Sequence, residues 1–565
     1  MTKGKTVTIA SNAVVAKLVD PITEVEVKVA EMLSYSPAGR ETSRMGKKQG
    51  WDSKKSFYSF KKKTFPAGFA QSIVGSLTKK GYYVNWVKKP LPEPLGDTRP
   101  IVDSFGYDPK YSYQPETADK LVKYGQIIAN VATGGGKSRI ARICYKRIQR
   151  NTLFLTTRSV LMYQMKDNFE SLLSESVGVV GDSVWSPKEG FTVGMVQTLS
   201  ARLEKKTMES ELERVVTLEN DAIARKIETY KRSLQRSKKT TAEIIEAVKK
   251  YRKQLHDAQE SDEELVKRVK QSVVNHNAKR EETIEYLKSV EFLILEEAHE
   301  AGSDEYYNVC MACTNALYRL SLTATAFKRA DEESNMRLMA VSGPVAVRVT
   351  EKKLIDLGVL ARPIFYYHPV QKIKGVYRTT GWRDAQDKGI VNNELRNQDV
   401  VNSCVTMSEY GLTSMVLVLR KEHGRVLKKK LQAHGLRASF IDGDKSNAER
   451  KDALKKLAQG DIDVLIGTTI LDVGVDVPSV GAIILAGGGK AEIALRQRVG
   501  RGLRAKKSGP NVAFVFDFHD RHNDHLTKHA ASRRKIIQDT PGFAENIVSE
   551  LDIESYGFKK IKATS

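Results

Sequence analysis

At 565 residues, with 41% hydrophobic and 28% charged residues, the chain is too long for one core. At about 100–200 residues per domain it divides into roughly three or four units. Lys and Arg number 92 against 68 Asp and Glu, a formal charge of +24 that draws phosphate polyanions and makes nucleic acid the first partner to test. No run approaches the ~20 apolar residues of a spanning helix and the basic N-terminus lacks a signal-peptide pattern, so no membrane partner and a cytoplasmic location are expected.

Residues 1–95 form the first unit, where Trp51, Phe57, Tyr58, Phe60, Phe65, Phe69, Tyr82, Tyr83 and Trp86 alternate with lysines such as Lys54, Lys61, Lys62, Lys79 and Lys80. Short strands with one helix fit this stretch. Its aromatic side chains serve either to stack bases while the lysines neutralise phosphate, or simply to pack a small core. A Pro-rich connector follows, from Pro90 to Pro109.

From Gln126 the pattern becomes short, continuous apolar runs such as IIANVA, TLFLTT and EFLILEE, which read as strands buried on both faces of a parallel sheet. This second unit spans 96–350 and is interrupted at 203–288 by a charged helical stretch. There Ile223, Ile227, Tyr230 and Leu234, then Ile244, Val248, Tyr251 and Leu255, are spaced 4-3-4, with a Thr240/Glu243 capping box between them. The spacing predicts a helical hairpin that acts as an arm toward DNA or a protein partner, and Ser261 with Glu264 marks the start of a third helix. A third unit, 351–520, repeats the buried-strand pattern in MVLVL, DVLIGT, AIILAG and VAFVFDF, and a polar tail, 521–565, ends the chain. Cys144, Cys310, Cys313 and Cys404 include no second Cys or His pair near Cys310 and Cys313, so they read as small hydrophobic residues rather than a metal site.

Thr133-Gly134-Gly135-Gly136-Lys137-Ser138 follows the strand IIANV and precedes a helix. Glycines in that setting let backbone N–H groups and a helix N-terminus converge on phosphate. Lys137 would reach the β- and γ-phosphates of ATP, and the Ser138 hydroxyl would ligate Mg²⁺. Val131 stands where the longer phosphate-loop pattern begins with Gly. Downstream, FLIL delivers Glu296 and Glu297 at a strand end, one carboxylate for Mg²⁺ through water and the other to polarise the attacking water.

At Leu295-Glu296-Glu297-Ala298-His299 the chain resembles the DEAH-box members of helicase superfamily 2. By that resemblance Glu296 is the metal-side carboxylate, Glu297 the general base and His299 a coupling residue, joined by Thr323 and Thr325 of SLTATA. Glu296 stands where the family has Asp, and its extra methylene moves the carboxylate by ~1.5 Å. The resemblance further implies adenine contact by Gln114, nucleic-acid contact by Thr157, Arg158, Gln197, Thr198 and Thr468, and nucleotide contact by Asp476 of GVD. It implies Gln497, Arg501 and Arg504 of QRVGRGLR at the γ-phosphate, with Arg501 and Arg504 the candidate arginine fingers.

The expected fold is therefore α/β: two tandem RecA-like domains, a small α+β N-terminal domain, and a helical hairpin inserted in the first RecA-like domain. LIDLGVLARP, Ile390-Val391-Asn392-Asn393 with Arg396-Asn397, and Asp517-Phe518-His519-Asp520 with His525, His529 and Arg533 are similar to phage-type UvsW helicases. That similarity implies a branch-migration DNA helicase using ATP and Mg²⁺ on single-stranded or branched DNA in recombination, repair or replication, in the host cytoplasm if the chain is viral. An RNA helicase, a nucleic-acid-binding regulatory protein with weak ATPase, and the motor subunit of a restriction assembly remain open alternatives.

Overall fold

The computed structural model describes residues 6–36, 54–235, 240–257, 261–327, 331–468, 480–489, 500, 503–506 and 509–561. The N-terminal unit is a four-stranded sheet in the order Thr64–Pro66, Val15–Val19, Thr6–Ser11, Tyr83–Lys88. The last pair is parallel and the others antiparallel. Alternation along Thr6–Ser11 and Val15–Val19 turns Val7, Ile9, Ala16 and Leu18 inward, and the helix Ala70–Lys79 adds Ile73 and Leu77. Tyr58, Phe65, Phe69 and Tyr82 are buried with them, so these four aromatic residues pack the core. Tyr83 and Phe60 instead stay 70% and 55% exposed, and Trp51 lies outside the described residues.

This unit is seated on the first lobe. Gly68 meets the helix Glu332–Ser342 so closely that a Cβ there would lie 2.1 Å from the Met339 carbonyl oxygen, and only glycine fits. Tyr35 Oη donates to Glu333 and the Ser36 N–H to Glu332. The Pro-rich connector is pinned along its length rather than spanning solvent: Tyr318 Oη donates to the Pro92 carbonyl, Arg150 to that of Glu93, and the Leu95 N–H to that of Ile148.

The first lobe is an eight-stranded sheet ordered Val184–Ser186, Gly178–Gly181, Phe191–Met195, Thr152–Thr156, Phe292–Leu295, Tyr318–Thr323, Gln126–Val131, Val345–Val349. Every pairing is parallel except the hairpin at the first edge. Helices cover both faces, which is why the strands read as unbroken apolar runs. Between the helix Val196–Leu203 and the strand Phe292–Leu295 stand three helices, Met208–Gln235, Thr241–Asp257 and Asp262–Ser289. The first two pair through Tyr230 and Tyr251, whose rings lie 4.3 Å apart. The third begins at the Ser261/Glu264 capping box and packs Leu265, Val269 and Val273 on Met208, Leu212 and Val215. The insertion is thus larger than a two-helix hairpin, because the proximal half of its long first helix needs an apolar cover of its own.

The second lobe is a seven-stranded parallel sheet ordered Ala438–Ile441, Val464–Gly467, Ser414–Leu417, Ala482–Ile484, Val512–His519, Arg362–Pro369, Ile547–Val548. Residues after 520 are not a detached polar tail. The helix Asp524–Gln538 buries Leu526, Ala530, Arg533 and Ile537, Ile547–Val548 adds the edge strand, and Phe543 packs on Phe365. Their polarity misleads because the buried Arg533 is ion-paired to Asp517 rather than solvated.

A buried histidine in this lobe gives a pH prediction. His423 is 1% exposed and its Nε2 lies 2.8 Å from Asn397 Oδ1. Burial, reinforced by the Arg396 charge, pulls its imidazole down to about 3. The folded value lies below the unfolded one, so the stability this group contributes is complete above about pH 6.5 and is lost as pH falls toward 3. Between pH 6.5 and 5 the wild type should lose about 1–2 kcal/mol more than His423→Gln, read from urea unfolding at the two pH values.

Candidate nucleotide site between the lobes

The strand Gln126–Val131 ends in a loop whose three glycines have separate physical reasons. Gly134 and Gly136 sit at φ 88° and 78°, where a side chain is strained. At Gly135 a Cβ would come 2.5 Å from Val131 Cγ1, so the valine that departs from the longer phosphate-loop pattern is itself packed against the loop. The helix Lys137–Ile148 starts directly after, with Ile140, Ala141 and Cys144 anchoring it to the core.

A polar brace supports this loop from behind. Tyr113 Oη donates to the Gly135 carbonyl at 2.8 Å, and burial pushes its phenol up to about 12. Gln114 is 1% exposed; its Nε2 donates to the same carbonyl at 3.2 Å and its Oε1 accepts from Arg139 Nη1 at 2.6 Å. Arg139 also grips Asp103 through Nε and Nη2, at 2.8 and 3.0 Å, and the Gly106 carbonyl, while Arg142 adds a contact to Asp103 at 3.2 Å. Burial alone would raise the Asp103 carboxyl, but the two guanidinium groups outweigh it and hold it below the usual carboxylate range. Gln114 therefore braces the loop with both ends of its amide, a role that single-residue reading does not reveal. Asp103 and Arg139 were not among the residues picked from sequence; Arg139, two positions after Lys137 on the same first turn, is the signal that could have found them.

The strand order sets the Glu296–Glu297 pair across one intervening strand. Tyr318–Thr323 lies between Gln126–Val131 and Phe292–Leu295, so the phosphate loop and Glu296 are separated by two inter-strand spacings, about 10 Å, at the carboxyl edge of the sheet. Glu296 is 8% exposed, and its backbone is fixed by Glu296 N–H to the Leu155 carbonyl at 3.0 Å and by Tyr306 Oη to its own carbonyl at 3.2 Å. Glu297 adopts left-handed geometry, φ 44° and ψ 49°, a strained conformation for a non-glycine residue. His299 Nδ1 stands 3.4 Å from Glu297 Oε2 and 3.2 Å from Thr323 Oγ1, and the Thr325 N–H donates to that same hydroxyl. The carboxylate strand and the SLTATA strand are thus bridged by one imidazole.

The second lobe closes on the loop from the far side. Gly500 is set so tightly against Thr133 that a Cβ on it would lie 2.8 Å from Thr133 Cβ, and its carbonyl faces Gly134. Leu360, on the chain passing between the lobes, bridges to Arg504, and the Ala361 N–H donates to the Leu503 carbonyl at 2.7 Å. Arg504 is exposed and Thr468 buried, while Asp476, Gln497 and Arg501 lie outside the described residues. At the next strand ends, Gln197 Nε2 donates to the Thr157 carbonyl at 3.2 Å, Thr157 Oγ1 donates to Glu300, and Arg158 stands 3.8 Å from that carboxylate; Thr198 follows on the same helix.

Ser138 and Glu296, a hydroxyl and a carboxylate at strand ends separated by one intervening strand, are the sparse kind of oxygen donor set that would suit Mg²⁺ shared with substrate phosphates. Among the described residues no cluster of three His, Cys, Asp or Glu could form a metal cage by itself. All four cysteines are buried free thiols, and among the described residues no helix is long and apolar enough to cross a membrane.

A phosphate loop at the edge of one parallel sheet, capped by a second parallel-sheet lobe, defines a two-lobed P-loop core. Two family models fall on it in order: the type III restriction enzyme res subunit over residues 109–221 and the helicase conserved C-terminal domain over 397–506. Over these two segments the chain is similar to helicases of superfamily 2. It is 30% identical over 139 residues to UvrABC system protein B of Thermotoga petrophila, covering 24% of this chain and 21% of that protein. It is 30% identical over 106 residues to the ATP-dependent RNA helicase SrmB of Haemophilus influenzae, 19% of this chain and 24% of the relative. The chain thus spans about a fifth of the length of the curated relatives it matches first. The crystal structure of T4 UvsW matches over 96% of this chain and 99% of that one, at 14% identity and TM-score 0.41.

Proposed function

We propose that the chain hydrolyses ATP between its lobes and uses the cycle to move along nucleic acid, with branched DNA as its substrate. The observation that carries this reading is the direct seating of the second lobe's Gly500 on Thr133 of the phosphate loop, which makes the spacing of the lobes depend on what the loop holds. Lys137 would neutralise the β- and γ-phosphates, and Glu297 would take the proton from the attacking water. Mg²⁺, held by Ser138 and Glu296, would supply charge neutralisation at the phosphates. His299, between Glu297 and Thr323, would pass the change of charge at the γ-position to the SLTATA strand. Thr157, Arg158, Gln197 and Thr198, at adjoining strand ends, would hold one strand's phosphates, so binding is sequence-independent and salt-sensitive.

The preference for DNA with junctions rests on the UvsW resemblance and on the N-terminal sheet. The outer face of Tyr83–Lys88 leaves Tyr83 and Val87 70% and 53% exposed, with Asn85 between them and Lys89 following, a platform on which an unpaired base can stack. The inserted arm, exposed over most of its surface, is the second candidate contact for DNA or a protein partner. ATP turnover measured with single-stranded DNA, a four-way DNA junction and RNA tests the reading. Stimulation of at least about tenfold is expected, largest with the junction. Stimulation by RNA alone would favour an RNA helicase, and none with any polymer would favour a binding protein with residual ATPase.

A further inference from the structure

Glu300 has no place in the hydrolysis scheme, yet its carboxylate stands where a nucleic-acid phosphate should bind. We propose that Glu300 is an internal stand-in for that phosphate, a positioning residue that restrains ATP hydrolysis until nucleic acid displaces it; the inference rests on the motor reading above.

The geometry has two ends. At one, Thr157 Oγ1 donates to Glu300 Oε2, and Arg158 Nη2 stands 3.8 Å from Glu300 Oε1. The Thr157 carbonyl is in turn held by Gln197 Nε2. A hydroxyl on one anionic oxygen and a guanidinium beside the other is the donor set a phosphodiester takes. Glu300 is only about a quarter exposed and Arg158 half exposed, so an incoming strand meets the arginine first and the carboxylate behind it. Two anions on one pair of donors repel, and the phosphate must expel the side chain to bind.

At the other end, Glu300 belongs to the 3-10 turn Ala298–Gly302, whose N-cap is Glu297, and the Glu300 N–H donates to the Glu297 carbonyl at 2.9 Å. The far end of this turn is fixed: Arg337 Nη1 donates to the Gly302 carbonyl at 3.1 Å, Gly302 has no room for a Cβ against Ser334, and Ser303 caps the next helix. Movement of Glu300 is therefore taken up toward Glu297, which is held in left-handed backbone geometry and has that strain to release. The base for hydrolysis and the sensor for the strand lie three residues apart on one turn.

Glu300→Gln keeps the shape and removes the charge. Turnover without nucleic acid should rise by about 5- to 150-fold, the ordinary range for coupling between two sites, stimulation should shrink by the same factor, and single-stranded DNA should bind more tightly. Thr157→Val releases the carboxylate from the other side, so it should also raise unstimulated turnover, but it should weaken DNA binding because a phosphate donor is lost. Binding of a fluorescent ADP analogue checks that both variants are folded. The proposal is overturned if unstimulated turnover is unchanged in both variants, or if Glu300→Gln binds DNA more weakly, which would make the carboxylate an orienting partner instead. A wild type with no nucleic-acid-stimulated turnover would overturn the motor reading itself, whereas a stimulated wild type with an indistinguishable Glu300→Gln would overturn only this one.

Discussion

Lys137→Ala should lower ATP turnover by about 10²–10³-fold or more while leaving thermal unfolding within a degree or two of wild type. The lysine is the first residue of its helix, directly after Gly136 in left-handed geometry. In the proposed reading an ammonium there would meet phosphate oxygens in a cleft narrowed by the second lobe, where a point charge acts through less water than at an open surface. Its aliphatic stem is half-buried and the packing beneath the helix comes from Ile140, Ala141 and Cys144, so the fold has little to lose. Phosphate release under saturating ATP and Mg²⁺, set beside a melting curve, separates the two effects. Turnover within about threefold of wild type would mean that the triphosphate lies elsewhere.

How much of this was legible depends on how local the cause is. The glycine run of the phosphate loop, the buried strands feeding it and the Ser261/Glu264 capping box are set by residues a few positions apart, and their pattern is visible in the sequence alone. The alternation of aromatic residues and lysines before residue 90 leaves two readings open; Tyr58, Phe65, Phe69 and Tyr82 fill a core, as the packing reading expects, while Tyr83 faces out. Gln114 could be matched to a motif, but its bracing of Gly135 needs Arg139 and Asp103, which only the fold brings together. Glu300 looked like one more charged residue beside a glutamate pair, because its partners Thr157 and Arg158 are more than 140 positions away. The C-terminal residues read only as a polar tail, because nothing local shows that Arg533 is buried in an ion pair with Asp517, a strand earlier in the chain.

That ion pair should be among the most sensitive points in the second lobe. Arg533 is 3% exposed; its Nε donates to both oxygens of Asp517 at 3.0 and 2.9 Å, its Nη2 to Asp517 Oδ1 at 2.9 Å and its Nη1 to the Gly489 carbonyl at 2.8 Å. Arg396, fully buried, donates to Asp520 at 3.2 Å and to the Ala486 carbonyl at 2.5 Å. Two arginines thus hold both ends of the loop Ala486–Gly489, which precedes Gly500 at the phosphate loop. Arg533→Met keeps much of the volume but leaves the Asp517 carboxylate buried without its guanidinium and the Gly489 carbonyl without its donor, which costs about 3–5 kcal/mol. In a lobe of roughly 200 residues that lowers the melting temperature by about 6–20 °C. Arg533→Lys should fall between the two, because an ammonium cannot reproduce the bidentate grip. Asp517→Leu combined with Arg533→Met should recover part of the loss, since removing both charges removes the stranded anion. A drop below about 2 °C for Arg533→Met would mean that water replaces the guanidinium and that the clamp does not set the loop.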